Sequence, residues 1–271
     1  MRKLGFSTIG CPDFTVEQVI DIARANGFIG VEIRFLRGTV DLASLDELSP
    51  QRIGETRRRF EDAGITIVAI DTSVRMSSLD PAIRDQQRAL ARANVAIATG
   101  LGVRLLRVFG GPIPAEQDRE KTIDAIAQGL GEIAEMSREH GVISVLETHD
   151  DFSTSESCLD LYARGASDAL HILWDTLHTH RHGETAAYTW SRLGPRIEHV
   201  HVKDSQVANR KGFDFALTGE GSVPIRDFIH LLDARRYPGF IHFEWEKGWH
   251  PEIASPEIAF PHFARFMAQL G

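Results

Sequence analysis

Val142-Ile-Ser-Val-Leu-Glu147-Thr-His149-Asp150 begins as an apolar, β-branched run and ends in charge, and the chain repeats this figure three more times. Leu170-His-Ile-Leu-Trp-Asp175 closes on a carboxylate. Ile197-Glu-His199-Val-His201-Val-Lys203-Asp204 closes on imidazoles, an ammonium and a carboxylate, and Phe240-Ile-His242-Phe-Glu244-Trp-Glu246 on two carboxylates. A short apolar run that turns polar at its exit reads as an interior strand of a parallel sheet. Working outward from these four, similar runs occupy residues 4–9, 30–35, 65–70 and 103–109, so the predicted strands are these and 142–148, 170–175, 197–203 and 240–246. Segments of helical period lie between and after them, at 15–26, 50–63, 81–99, 116–140, 156–165, 185–193, 225–235 and 257–270. Asn26-Gly27, Ala63-Gly64, Gly100 and His140-Gly141 supply helix stops just before strands, and Thr15 with Gln18 forms a capping-box pattern. Eight strands, each followed by a helix, predict an α/β fold, a (β/α)8 TIM barrel forming a single domain over 1–271. The competing doubly wound sheet usually carries a glycine-rich first turn, and Ser7-Thr8-Ile9-Gly10-Cys11 is no GxGxxG.

Bulk properties narrow the function. The 271 residues suit one barrel of roughly 250 residues. Thirty Lys+Arg against 38 Asp+Glu give a formal charge of −8, which argues against a duplex-binding protein and for no nucleic-acid partner. No run approaches the ~18 apolar residues of a spanning helix, and the first residues lack the apolar stretch of a signal peptide. Cys11 and Cys158 are too few and too far apart for a disulfide framework or a thiolate zinc site. The expectation is a cytoplasmic protein, with no membrane partner, held together by its core. Histidine stands out: 12 in all, eight of them from His140 to His201.

In a parallel barrel the site forms at the carboxyl ends of the strands. Period-two alternation places His199, His201 and Lys203 on one face, and His242, Glu244 and Glu246 on one face. Val200, Val202, Ile241, Phe243 and Trp245 then face the outer helices, so the polar set points into the barrel mouth. Buried carboxylates and imidazoles need partners. One divalent cation held by two Glu, one Asp and one His supplies that partner, and mixed oxygen and nitrogen ligation suits Mn²⁺, Mg²⁺ or Co²⁺.

Eight short stretches, in order and at matching spacing, resemble the xylose-isomerase-like barrels, the sugar phosphate isomerases and epimerases similar to ketose 3-epimerases, hydroxypyruvate isomerase and inosose dehydratase. They are GFSTIGCP at 5–12, GVEIR at 30–34, LLRVFGG at 105–111, LETH at 146–149, WDTLH at 174–178, HVHVKD at 199–204, GEG at 219–221 and FEWE at 243–246. The resemblance implies a metal, most simply Mn²⁺, ligated by Glu147, Asp175, His201 and Glu244. It implies His178, three residues after the Asp, as a substrate contact, and Glu147 with Glu244 as the acid/base pair. The implied reaction is proton abstraction beside a carbonyl through a metal-stabilised enediolate, giving an isomerase or epimerase of a sugar. Relatives of this kind also imply a homo-oligomer, or a small second subunit in some lyases.

Several residues point beyond plain epimerisation. Many ketose epimerases carry Glu-Pro after the fifth strand, whereas this chain has Glu147-Thr-His149. His149 lies on the same side of the strand as Glu147 and offers an extra catalytic base. An extra base suits a lyase: inosose dehydration, or cleavage of a 3-keto-glycoside. Lys203 and Arg107 are read as binding sugar hydroxyls or polarising the carbonyl, and Trp249, beside His250-Pro251, as an aromatic wall for a sugar or keto-sugar substrate. Glu246 is read as a substrate contact, as support for these groups or as a rim charge. Arg34, Asp71 and Arg75 qualify as substrate or phosphate contacts by position, and the long connection 209–223 as a lid. His199 and His242 read as core histidines, His180 and His182 as a solvated loop, and Arg57-Arg58-Arg59 as a solvated helix face.

The same fold houses endonuclease IV, whose three-zinc cluster needs further histidines after strands three and four and an Asp-x-His after strand seven. Here those places read Asp71-Thr-Ser-Val-Arg75, Arg107-Val-Phe-Gly-Gly111 and Asp214-Phe-Ala, with no His. A non-catalytic sugar-binding barrel would keep the aromatic wall without needing two carboxylates and a metal.

Overall fold

The computed structural model describes residues 2–270. Eight parallel strands close a barrel: β1 (Lys3–Ser7), β2 (Gly30–Ile33), β3 (Thr66–Arg75), β4 (Leu105–Phe109), β5 (Ile143–Glu147), β6 (His171–Asp175), β7 (Ile197–Val202) and, after a two-stranded insertion, β10 (Phe240–Phe243). Closure is direct, because β1 pairs in parallel with both β2 and β10. The outer layer contains α1 (Val16–Ala25), α2 (Ile53–Asp62), α3 (Pro81–Leu101), α4 (Arg119–Glu139), α5 (Ser155–Ala163), α6 (Thr176–Arg181), α7 (Ala186–Leu193), α8 (Ile225–Ala234) and α9 (Pro256–Ala268). The barrel expected from the sequence is therefore the fold, and the Thr15–Gln18 capping box forms with both of its hydrogen bonds.

Four local departures reshape the carboxyl end of the barrel. The last barrel strand leaves its ladder after Phe243, so Glu244-Trp245-Glu246 extend beyond it instead of continuing the strand to 246. β3 runs on to Arg75, with a register shift against β4 between Asp71 and Arg75. The segment 176–181, read partly as a solvated loop, is the short helix α6, begun where the Asp175 carboxylate accepts from the amides of Leu177 and His178. His180 and His182 are accordingly half-buried, with the His180 ring 6.5 Å from that of Phe228. The connection 209–223 is in good part regular: β8 (Asp204–Asn209) and β9 (Gly212–Ala216) form an antiparallel ribbon standing off the barrel mouth.

The core has two parts. Outward-facing strand residues pack on the helices, with Phe243 stacked on Phe263 at 4.7 Å and Trp174 edge-on to Phe228 at 5.4 Å. A smaller cluster, Val68, Ala69, Leu105, Val145 and Leu173, forms separately, with its β5 and β6 members two residues before Glu147 and Asp175. That apolar plug seats the polar strand ends above it. No helix among the described residues is long and apolar enough to cross a membrane.

Candidate active site

Consecutive late strands bring one carboxylate or imidazole each to a common point. Glu147 ends β5, Asp175 ends β6, His201 is next to last in β7, and Glu244 follows β10. One ligand atom from each lies within 4.8 Å of the others, and all four residues are buried. His201 Nδ1 is 3.3 Å from Glu244 Oε1, 3.8 Å from Glu147 Oε1 and 4.0 Å from Asp175 Oδ2.

Two buried atoms in this group make no hydrogen bond, Asp175 Oδ2 and His201 Nδ1. Oδ1 of Asp175 is occupied by capping α6, and Lys203 Nζ, although 2.9 Å from Oδ2, is poorly aligned with it. The other nitrogen of His201, Nε2, lies 2.8 Å from Glu32 Oε2. An ionised carboxylate only accepts, so Nε2 carries a proton. Against burial, Glu32, Glu244 and Glu147 push the imidazole well above the usual histidine range, and a cation in the cluster would take the Nδ1 lone pair in place of the second proton. Unpartnered buried polar atoms are costly, and three carboxylates with one neutral imidazole make a donor set that fits Mn²⁺, Mg²⁺ or Co²⁺. The carboxylate–imidazole relay behind the ligand is the arrangement that usually orients metal-bound histidines.

Two fixed cations frame the group. Arg107 donates to Glu147 at 2.8 Å and reaches Glu244 at 3.4 Å, with its guanidinium 4.3 Å from the Phe109 ring. Lys203 sits 2.5 Å from Glu244 and 2.6 Å from Glu246. Burial alone would raise the Glu147 carboxyl, but Arg107 holds it down at about 2. Burial raises Asp175 to about 6, with Lys203 opposing and the Glu244 and Glu147 charges adding to the rise. Burial likewise opposes charge on Lys203, yet Asp175, Glu244 and Glu246 push its ammonium well above the usual range.

Glu32 was not singled out in the sequence, and its signal was one acidic residue inside the apolar run of β2. Its Oε2 also lies 2.8 Å from His199 Nε2 and 3.3 Å from His242 Nδ1. His199 and His242 are thus core histidines as expected, gathered on one carboxylate. Neither carboxylate oxygen of Asp71 has a hydrogen-bond partner. Burial drives that carboxyl well above its ordinary value, Arg107 opposing and Glu32 adding to the rise.

A cavity of about 390 Å³ opens over this group, lined among others by Arg34, Arg107, Glu147, His149, Glu244 and Trp249. His149 follows β5, its ring 5.0 Å from Phe109 and 4.4 Å from His178, with Nδ1 3.1 Å from Asp150 Oδ1. Burial works against its charging, but Asp150 and Glu147 outweigh burial and raise its pKa. Of the expected substrate contacts, Arg107, Glu246 and Trp249 line the cavity. Lys203 and His178 do not: both are buried behind its wall, and burial drives His178 well below the usual histidine range. On the ribbon, Phe213 packs on His178 at 5.5 Å, and Phe215 on Trp245 and His250 at 5.8 and 4.8 Å. A larger cavity, about 870 Å³, lies among Lys3, Asn26, Tyr237 and Met267, but no histidine lines it. Its residues belong to the amino-terminal end of the barrel, away from this chemistry.

Residues 20–266 match the family described as xylose isomerase-like TIM barrel. Inosose dehydratases are curated relatives. That of Geobacillus thermodenitrificans is 28% identical over 94% of this chain and 92% of its own. The match to the Clostridium perfringens enzyme, 25% identical, spans 55% of this chain and about half of that protein, 54%. Among solved structures, the probable 3-DHS dehydratase of petrobactin synthesis from Bacillus anthracis superposes with a TM-score of 0.82 at 19% identity, covering 99% of both chains. An L-ribulose 3-epimerase does so with 0.82 at 18%, covering 100% of this chain and 94% of that one. Both structures share the fold. With its strand order, its cluster of strand-end carboxylates and imidazole and a match along nearly its whole length, the chain belongs to the xylose isomerase-like TIM barrel family.

Proposed function

We propose that this chain is a divalent-metal-dependent dehydratase that enolises a small polyhydroxylated ketone and expels water from the neighbouring carbon. The observation that carries this reading is the placement of His149, an imidazole on the cavity wall that is not needed to complete the Glu147, Asp175, His201 and Glu244 set. The carboxylates an epimerase would use, Glu147 and Glu244, are clamped by Arg107 and Lys203, and a carboxylate held by cations accepts a proton less readily. The kinship to inosose dehydratases supports the same choice and suggests a keto-cyclitol or keto-sugar substrate.

Glu147, Asp175, His201 and Glu244 would hold the ion, which supplies Lewis acidity toward the ketone oxygen. His149 takes the proton from the carbon beside the carbonyl, and the electron pair of that C–H bond becomes the new C=C. The C–O bond on the next carbon breaks, and the His149 imidazolium gives its proton to the departing hydroxyl, which leaves as water. Arg107 holds the acidic side of the cavity fixed while Lys203, tied to Glu244 and Glu246, keeps those carboxylates in place. Phe109, which lines the cavity against the His149 ring, limits water around that imidazole.

Incubation of Mn²⁺-supplemented protein with an inosose, and with cyclic polyhydroxylated ketones bearing a carboxylate or a phosphate, in D₂O tests this. The expected result is loss of one water by mass spectrometry, with His149→Gln slower by about 10²–10⁴-fold while still binding Mn²⁺. Deuterium entering the recovered ketone or its isomer without water loss would replace this reading with an isomerase or epimerase using Glu147 and Glu244. No turnover of any ketone with the metal bound would reject both.

A further inference from the structure

Arg34 follows β2 and lies in the cavity wall, 6% exposed. Its guanidinium has only neutral hydrogen-bond acceptors: Nη1 donates to the Asp71 carbonyl oxygen at 3.3 Å and Nη2 to Ser73 Oγ at 2.8 Å. Nε is buried with no partner at all. Among the described residues no carboxylate forms an ion pair with it, in contrast to Arg107 nearby, which has three carboxylates around it. A buried guanidinium with no carboxylate in contact is costly; the Arg107 charge adds to that cost, and Asp71, Glu147 and Glu244 offset part of it from beyond ion-pair distance. Arg75, exposed and also without an ion pair among the described residues, lines the same wall, as does Ser73. Trp249 and Phe35 flank Arg34, with the guanidinium 5.6 and 6.0 Å from their rings, and so restrict water without supplying a strong acceptor.

The cavity is therefore divided. Glu147, Glu244 and Glu246 lie on one side with Arg107 and Lys203 already against them. Arg34, Ser73 and Arg75, from the β2 exit and the late part of β3, lie on the other, where no carboxylate forms an ion pair with either guanidinium among the described residues. We infer that the substrate carries an oxyanion, a carboxylate or a phosphate monoester, and that Arg34 with Arg75 and Ser73 is the subsite that holds it. The planar guanidinium presents parallel donors matched to such a group. The ketone end is then oriented toward His149 and the ligand cluster, which sets which C–H bond meets the base. This subsite rests on the reading of the cavity as the substrate site, but not on the reaction being a dehydration.

Equilibrium binding separates the two. D-Glucitol, D-gluconate and D-glucitol 6-phosphate are titrated by calorimetry into the protein as isolated and again after EDTA treatment, so that chelation of an ion does not pass for anion recognition. The expected result is at least ten-fold tighter binding of one anionic polyol than of glucitol under both conditions. Preference for gluconate assigns a carboxylate, and preference for the 6-phosphate a phosphate. Arg34→Gln should erase the preference and Arg75→Gln, at an exposed position that does not endanger folding, should reduce it several-fold. Equal or undetectable binding of all three compounds overturns the inference, as does a preference that survives both substitutions or disappears on EDTA treatment. An anion preference with no dehydration leaves the subsite standing and removes the proposed reaction instead.

Discussion

His201 shows how single residues fix the chemistry here. Its two nitrogens face opposite ways, Nε2 to Glu32 and Nδ1 to the three carboxylates, so the tautomer follows from the partner and not from the ring. The gathering of polar groups at the late strand exits was legible in the sequence because each interrupts an apolar run, whereas the set Glu147, Asp175, His201 and Glu244 was implied by the family resemblance. Glu32 was not legible, because pleat parity tells which face a carboxylate takes but not which imidazole from a strand far along the chain will meet it. Its role makes a direct prediction. Glu32→Gln keeps the size of the side chain but replaces the charged acceptor, and should weaken Mn²⁺ affinity by about 10–100-fold, the usual cost of disturbing a ligand's hydrogen-bond partner. Competition with a fluorescent chelator measures it. Unchanged affinity in a folded variant would show that His201 is oriented by something else.

The elements with the clearest local chemistry formed where the sequence placed them. Helix α1 starts at its capping box and α3 begins at Pro81 with Asp80 accepting from Ala82, but α3 runs through Gly100, the expected stop, and ends at Gly102, whose φ of 70° is left-handed. The ribbon of β8 and β9 was hidden because its strands are polar and half exposed, with Gln206, Asn209, Lys211 and Asp214 breaking any apolar alternation. Tertiary anchoring forms it instead. Asp204 Oδ2 accepts from the amides of Gly219 at 2.8 Å and Gly221 at 3.1 Å, and Oδ1 from those of Ser205 at 2.8 Å and Val223 at 3.2 Å. Asp204→Ala strips the acceptor from all four. At ~1–3 kcal/mol for each buried donor left unpaired, with relaxation and water recovering some of it, the loss should be at least about 2 kcal/mol. Denaturant titration checks this. A variant as stable as the parent would mean the return segment 217–223 is held by its apolar contacts alone.

At the scale of the whole molecule, barrel closure turns residues scattered between Ile9 and His250 into one cavity. Eight apolar strands and their helix punctuation made the barrel legible. Where the last strand stops was not, because Trp245 keeps the alternating pattern going after the ladder has ended at Phe243. Its side chain stays buried, stacked on Phe243 at 5.7 Å, so the pattern reports burial rather than strand. Past the ladder, Glu244 and Glu246 both reach Lys203. The central claim is that Glu147, Asp175, His201 and Glu244 grip one divalent ion at the carboxyl end of this barrel. Calorimetric titration of EDTA-treated protein with Mn²⁺, with elemental analysis of the dialysed product, tests it most directly. The account predicts one ion per chain, lost in Glu244→Gln and in Asp175→Asn while both variants stay folded. No saturable binding, or binding at the same stoichiometry and affinity in both variants, would contradict it.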